Sequence, residues 1–134
     1  MNDYWQLTRK DTQAWLQFDQ DMRWIDEFDW SNIAQSNPVR TLSGAQVIQQ
    51  GTKYSGRPIT LAGDWVWIRR AQLQTMQDWT TTPELEMMLT HYDGRVFNVT
   101  FRLHENAFEA TPVVYRTPEE DGDFYTIKIN LMTI

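Results

Sequence analysis

Gly51-Thr-Lys-Tyr-Ser-Gly-Arg-Pro-Ile-Thr-Leu-Ala-Gly63 joins an alternating pattern before it to a tryptophan-rich segment after it. Three glycines and a proline make the backbone turn at each end of this stretch and run extended between. Gly51 and Gly56 can take positive φ without steric cost, and Pro58 biases Arg57 towards extended backbone. Ile59-Thr-Leu61 then alternates as a half-buried strand. The segment reads as a turn feeding a strand, with Gly63-Asp64 as its break. It holds no phosphate loop, no nucleophile beside a base and no cluster of metal ligands.

Upstream, Val39 to Gln50 reads as one long strand with Gly44 as a bulge or close-approach point. Ser31 to Pro38 is polar and ends in Asn-Pro, which marks a loop. Between Met22 and Trp30, Trp24, Phe28 and Trp30 are interleaved with Asp26, Glu27 and Asp29. Periods of 2 and 3.6 both partly fit here, and extended backbone is favoured. Ala14 to Phe18 suits a short strand closed by the polar turn Asp19-Gln-Asp21, and residues 1–13 read as a polar N-terminal arm that frays or docks on a neighbour.

Downstream, Trp65-Val-Trp-Ile continues as strand, and a helix is expected over about 69–79, with Leu73, Met76 and Trp79 on one face. The Thr80–Pro83 run closes it. Leu85 to Thr90 and Arg95 to Leu103 alternate on either side of Tyr92-Asp-Gly-Arg95, a type I′ hairpin signal. Phe108 to Tyr115 is a strand whose Pro112 places it at an edge or bulge. The acidic turn Glu119–Asp123 leads into a last alternating strand, Phe124 to Ile134. The expected fold is mainly β: a small barrel or sandwich of six or seven strands with one α-helix, in a single domain spanning 1–134.

Composition narrows the function. With 134 residues the chain can bury a core without staples, and its lack of cysteine removes disulfides, thiolate metal sites and cysteine catalysis together. A formal charge of −6 opposes a dedicated nucleic-acid surface, which would carry a basic footprint. The opening residues have no basic-then-apolar signal pattern, and no apolar run is long enough to span a bilayer, so a protein in solution is expected. Seven tryptophans exceed what a minimal core of this size needs, which points to interfaces or sugar platforms as well.

The residues that could carry chemistry each have a plainer reading. Asp19, Asp21, Asp26, Glu27 and Asp29 could pair carboxylates for hydrolysis or hold calcium, but match no EF-hand spacing and suit a solvated or interface face. His91 and His104 have no fixed carboxylate partner, which gives little basis for a metal site. Asn98-Val-Thr100 matches a glycosylation sequon but falls mid-strand. Trp65 and Trp67 share a face if extended, as a glycan platform would require and as a core or contact face would too. No catalytic residue, metal site or cofactor is expected.

Several short motifs occur in a fixed order. They are Trp24-Ile-Asp-Glu-Phe-Asp-Trp30, Thr41-Leu-Ser-Gly-Ala45, Gly56-Arg-Pro-Ile-Thr-Leu61, Asp93-Gly-Arg95 leading into Val99-Thr-Phe-Arg102, Ala110-Thr-Pro-Val113, and a closing Asp123-Phe-Tyr-Thr-Ile-Lys-Ile. In that order, from about residue 15 onwards, the chain resembles the small tail-tip or baseplate structural proteins of long-tailed bacteriophages, which are distal-tail or tail-tube-like. The resemblance implies a non-enzymatic virion protein made in the host bacterial cytoplasm, forming or joining a homo-oligomeric ring around the DNA channel with other tail proteins. Such a subunit needs apolar surplus for its neighbours, for which Trp5, Trp15, Trp24, Trp30, Tyr54 and Arg57 are the candidates. It also needs a lumen that repels DNA, for which Asp26, Glu27 and Asp29 are the candidates. The alternative is a carbohydrate-binding module attaching to a host surface glycan through exposed tryptophans; a small hydrolase built on the acidic cluster ranks last.

Overall fold

Apolar and polar residues alternate along most of this chain, so its strands bury one face and leave the other wet. The computed structural model describes residues 4–115 and 117–134, the side chains of Asp64 and Trp65 excepted. In chain order the elements are β1 (Tyr4–Arg9), β2 (Trp15–Asp19), β3 (Arg23–Trp24), β4 (Ile33–Gln35), β5 (Val39–Arg40), β6 (Gln46–Val47), β7 (Gln50–Thr52), β8 (Pro58–Arg69), α1 (Arg70–Trp79), β9 (Met87–Thr90), β10 (Val96–Phe101), β11 (Phe108–Pro112) and β12 (Phe124–Thr133). The fold is mainly β with one helix. Eight of the strands form one antiparallel sheet in the order β2-β1-β9-β10-β12-β8-β3, with β11 also pairing β12.

β12 is the strand on which this sheet is built. Tyr125, Ile127, Ile129 and Leu131 alternate inward along it. One of its edges pairs with β8 from Phe124↔Arg69 to Met132↔Pro58, and the other is shared by β11 and β10. The sheet curls until β2 meets β8, but β2 and β3 remain unpaired ends, so it does not close into a barrel. Trp5 helps to hold this curl, its indole N–H donating to the Met22 carbonyl at 2.9 Å.

The helix covers the apolar face through Leu73, Met76 and Trp79, as their spacing predicts. At its start the Gln72 side chain accepts the Arg69 N–H. At its end the Thr80 and Thr81 hydroxyls donate to the carbonyls of Gln77 and Asp78, satisfying acceptors that the helix leaves open. Each large apolar side chain buried here contributes roughly 1.5–3 kcal/mol. The core draws on residues 5–24 and 59–131, and no residue between Ile25 and Pro58 belongs to it.

Several expectations need correction. Residues 4–9 are not an arm but an interior strand between β2 and β9, with Trp5 and Leu7 wholly buried; their alternation is masked by polar neighbours on the wet face. Gly63-Asp64 does not break β8, which runs through with a register slip opposite Thr126 and Ile127. Gly63 is needed for close approach, because a Cβ there would lie 3.3 Å from the Asp21 carbonyl oxygen. Extended backbone after Met22 stops at Trp24. Residues 39–50 are not one strand, since the chain reverses at Thr41–Ala45 and Gly44 takes φ of 88°. The β9–β10 hairpin forms, but its turn is not type I′, for Asp93 keeps negative φ. His91 N–H donates to Arg95 O, and Gly94 N–H to His91 O with Gly94 at φ of 101°. That is a longer loop with glycine at the left-handed position.

Among the described residues no helix is long and apolar enough to cross a membrane.

Candidate functional site

The part of the chain that the core does not use is organised in its own right. β4 pairs with β7 and β5 with β6, so residues 32–53 form one long two-stranded ribbon. Between the two ladders Ser36 N–H donates to Gln49 O and Gln49 N–H to Ser36 Oγ, which keeps the register continuous. At the tip Thr41 N–H donates to Ala45 O, and Arg40 donates to the Gly44 carbonyl. Every residue from 31 to 52 is exposed. Among them are Ile33, Leu42, Ile48 and the cross-strand pair Val39 and Val47. A two-stranded ribbon alone is marginally stable in water, and its outer edges leave backbone groups unpaired.

The base of the ribbon is fixed by aromatic and charged groups. Lys53 Nζ lies 3.7 Å from the Trp30 ring centroid, and the Trp30 indole N–H donates to Asn32 Oδ1. On the returning strand, Gly56 turns with φ of 88° and its N–H donates to Thr133 O. Arg57 then accepts the Thr133 N–H on its carbonyl and donates its own N–H to the Thr133 hydroxyl. Its guanidinium donates to the Glu27 carbonyl at 2.8 Å and stacks on Trp24 at 4.5 Å from the ring centroid.

Glu27 in turn pairs with Arg95 at 3.0 Å, and Arg95 also binds Asp93 at 2.8 Å. Burial works against the Arg95 charge, but the hydrogen bonds it donates to the Glu27 and Asp93 carboxylates outweigh it and leave its pKa raised. The Asp93 carboxyl is held below the usual range, first by the Arg95 backbone N–H and then by its side chain. Asp26 accepts from both the backbone N–H and the hydroxyl of Thr60 on β8. The segment 24–30 that leads into the ribbon is thereby tied to β8 and to the β9–β10 turn.

Of the six contact candidates, the structure brings Trp24, Trp30 and Arg57 into this base. Trp5 and Trp24 are not surface residues: both are buried, because inward positions on β1 and β3 take them into the core. Trp15 is 55% exposed, on β2 at the opposite end of the sheet order from β3. Tyr54 is 95% exposed, just beyond the ribbon. Asp26 and Glu27 are not open to a lumen, since Thr60 and Arg95 hold their carboxylates; only Asp29 of the three is fully exposed.

The remaining candidates stay apart. His91 is buried in the β9–β10 turn against Trp5 and Tyr92 and, contrary to expectation, has a carboxylate partner, Asp93 Oδ1, 2.9 Å from its Nδ1; His104 is exposed beyond the other end of β10. Among the described residues no group of three or more His, Asp or Glu is placed to hold a metal. Trp67 is half exposed and tilted against Phe124 at 5.7 Å, but the Trp65 side chain lies outside the described residues.

Comparison with protein-family models, curated proteins and solved structures finds no match. Function must therefore be inferred from the geometry of the chain itself.

The ribbon is what the pattern of residues 39–50 conceals, because each of its strands is only two or three residues long. A sequence signal for it does exist. From Trp30 to Gly63 the chain has no aspartate or glutamate, while carrying Arg40, Lys53 and Arg57 in a protein of net charge −6. Within that stretch every residue from 31 to 52 is exposed, so this part of the surface carries no carboxylate side chain.

Proposed function

We propose that this chain is a non-enzymatic assembly subunit, a structural component of a bacteriophage tail tip or baseplate that forms or joins a ring around the DNA channel. One observation carries the reading: a fully exposed β-ribbon displays aliphatic side chains at its tip and is clamped at its base by Trp24, Trp30, Lys53 and Arg57. Exposed apolar side chains on a projecting ribbon cost solubility unless a partner covers them. A clamped base reduces the ordering entropy lost when that partner is met. The ribbon is the contact element, and the curled sheet with its helix is the rigid body that presents it. The acidic balance of the body suits a channel that DNA passes without adsorbing.

Light scattering on the purified chain, alone and co-expressed with tail components, tests this. Rings or a co-assembling complex are expected, and replacing Val39 and Leu42 with aspartate should return the mass to that of one chain. The second reading, a carbohydrate-binding module, draws on exposed Trp67 beside Phe124. A protein that stays monomeric with every tail component, and whose tryptophan fluorescence shifts with a cell-wall glycan, would move the function there.

A further inference from the structure

The ribbon tip has a chemical complement on the same chain, at the far end of β8 from the ribbon's base. Arg57 at the ribbon base directly precedes β8, which runs for 12 residues to Arg69. At about 3.3 Å per residue that strand separates its two ends by on the order of 35 Å. At the far end, where β11 finishes and β12 begins, lies a shallow cavity of about 270 Å³ lined by Trp67, Val113, Val114 and Phe124, with Gly122 and Asp123 at its edge. Its floor is apolar and open: Trp67, Val114 and Phe124 are all exposed. It falls below the roughly 300–1,000 Å³ of small-molecule sites and suits one or two aliphatic side chains better.

The charges are complementary as well. The rim turn Glu119–Asp123 carries four carboxylates, of which Glu119 pairs with Arg70 at 2.6 Å, and Arg69 lies over the Phe124 ring. The ribbon brings no carboxylate of its own, and Arg40 stands beside the aliphatic tip.

We propose that the ribbon tip of one copy docks in this cavity on a second copy, with Leu42 and the Val39–Val47 pair on the apolar floor and Arg40 facing the acidic turn. This rests on the assembly reading and names the partner surface. The ribbon base and the cavity lie at opposite ends of β8, and every copy offers both surfaces. Such a contact closes into a ring where the rotation between copies allows, and otherwise continues as a filament. A two-fold pair satisfies it as well, with each copy's tip seated in the other's cavity.

The native chain has no cysteine, so single cysteines report contacts without background. Leu42→Cys chains are mixed with Val114→Cys chains and oxidised, beside a control mixture of Leu42→Cys with Gln20→Cys, an exposed position on the β2–β3 turn. All three positions are exposed, so the variants should keep the fold.

The Leu42–Val114 pairing is expected to exceed the control by roughly tenfold or more, since docking raises the local concentration of the two thiols. It should fall on adding Arg40→Glu, and in roughly 1 M salt, where screening acts within about 3 Å. Pairing no better than the control overturns the proposal, as does a predominance of Leu42–Leu42 dimers. The parent chain's mass separates the two failures. An associating parent without the cross-link leaves the assembly reading standing and removes this cavity from it. A parent monomeric at every concentration and with every tail component, without the cross-link, overturns both.

Discussion

Trp24 has two guanidiniums against its indole, Arg57 at 4.5 Å and Arg95 at 5.7 Å from the ring centroid. Through Glu27 both also hold the segment that enters the ribbon. Arg57→Ala should therefore lose a charge-assisted hydrogen bond and a stacking contact together, about 1–3 kcal/mol in urea unfolding. The variant's ribbon should also be cut faster by protease at native conditions. An unchanged midpoint with an unchanged cutting rate would show that Arg57 does not brace the base.

His91 supplies a second prediction at this scale. Burial lowers its pKa below the ordinary 6.5, with the Asp93 charge opposing. Its Nδ1 lies 3.1 Å from the Asp93 backbone nitrogen and 2.9 Å from Asp93 Oδ1. The folded pKa lies below the unfolded one, so protonation favours the unfolded chain. The contribution is complete above about 6.5 and is lost as pH falls through the folded value. Unfolding midpoints measured from about pH 8 to about pH 5 should decline in that window, and His91→Gln should flatten the decline. Asp93 acts lower: its folded pKa is depressed, so its contribution is present above the ordinary 3.8 and is lost as pH falls through the folded value. None of this was legible in the sequence, where His91 differs from His104 only by its place beside a turn.

Among the elements, those that bury alternate positions were the legible ones. β12, β10 and α1 follow their apolar spacing because burial on one face decides their register. β1 was hidden because Trp5 and Leu7 stand among polar Gln6, Thr8 and Arg9, whereas Val96, Phe97, Val99 and Phe101 mark β10 as apolar. The ribbon was hidden for the opposite reason: without a buried face, no periodicity marks where its strands turn. Two glycines show the difference between body and ribbon. In Gly63→Ala the new Cβ would press on Val66 Cγ2 at 3.2 Å and on Asp21 O at 3.3 Å, where β8 crosses the chain entering β3. Overpacking of this kind should cost about 1–3 kcal/mol of global stability. Gly44→Ala meets no atom but keeps a φ of 88° that an alanine resists. Its strain of roughly 1 kcal/mol stays in the ribbon tip, so the global unfolding midpoint should not move. Equal shifts for the two variants would contradict the separation of ribbon from body.

For the molecule as a whole, that separation makes stability and association independently adjustable. The core takes nothing from residues 25–58, and the ribbon's strands pair only with one another. A chain in which residues 37–49 are replaced by a short Asn-Gly turn should therefore unfold within about 0.5 kcal/mol of the parent, the range of a surface change away from any packed feature. It keeps the base clamp of Trp24, Lys53 and Arg57 while losing Leu42 and the Val39–Val47 pair. Association should be lost with it, and mass measured by light scattering alongside urea unfolding reads both quantities on one preparation. In the parent, amide exchange gives the same answer without mutation. Ribbon amides in the isolated chain should exchange near the rate of unprotected peptide, because the ribbon opens without disturbing the core. In the assembled state the amides of 39–47 should slow together while those of β12 stay as they were. If the shortened chain unfolded early, the ribbon would be part of the fold; if it still assembled, the contact would lie elsewhere on the body.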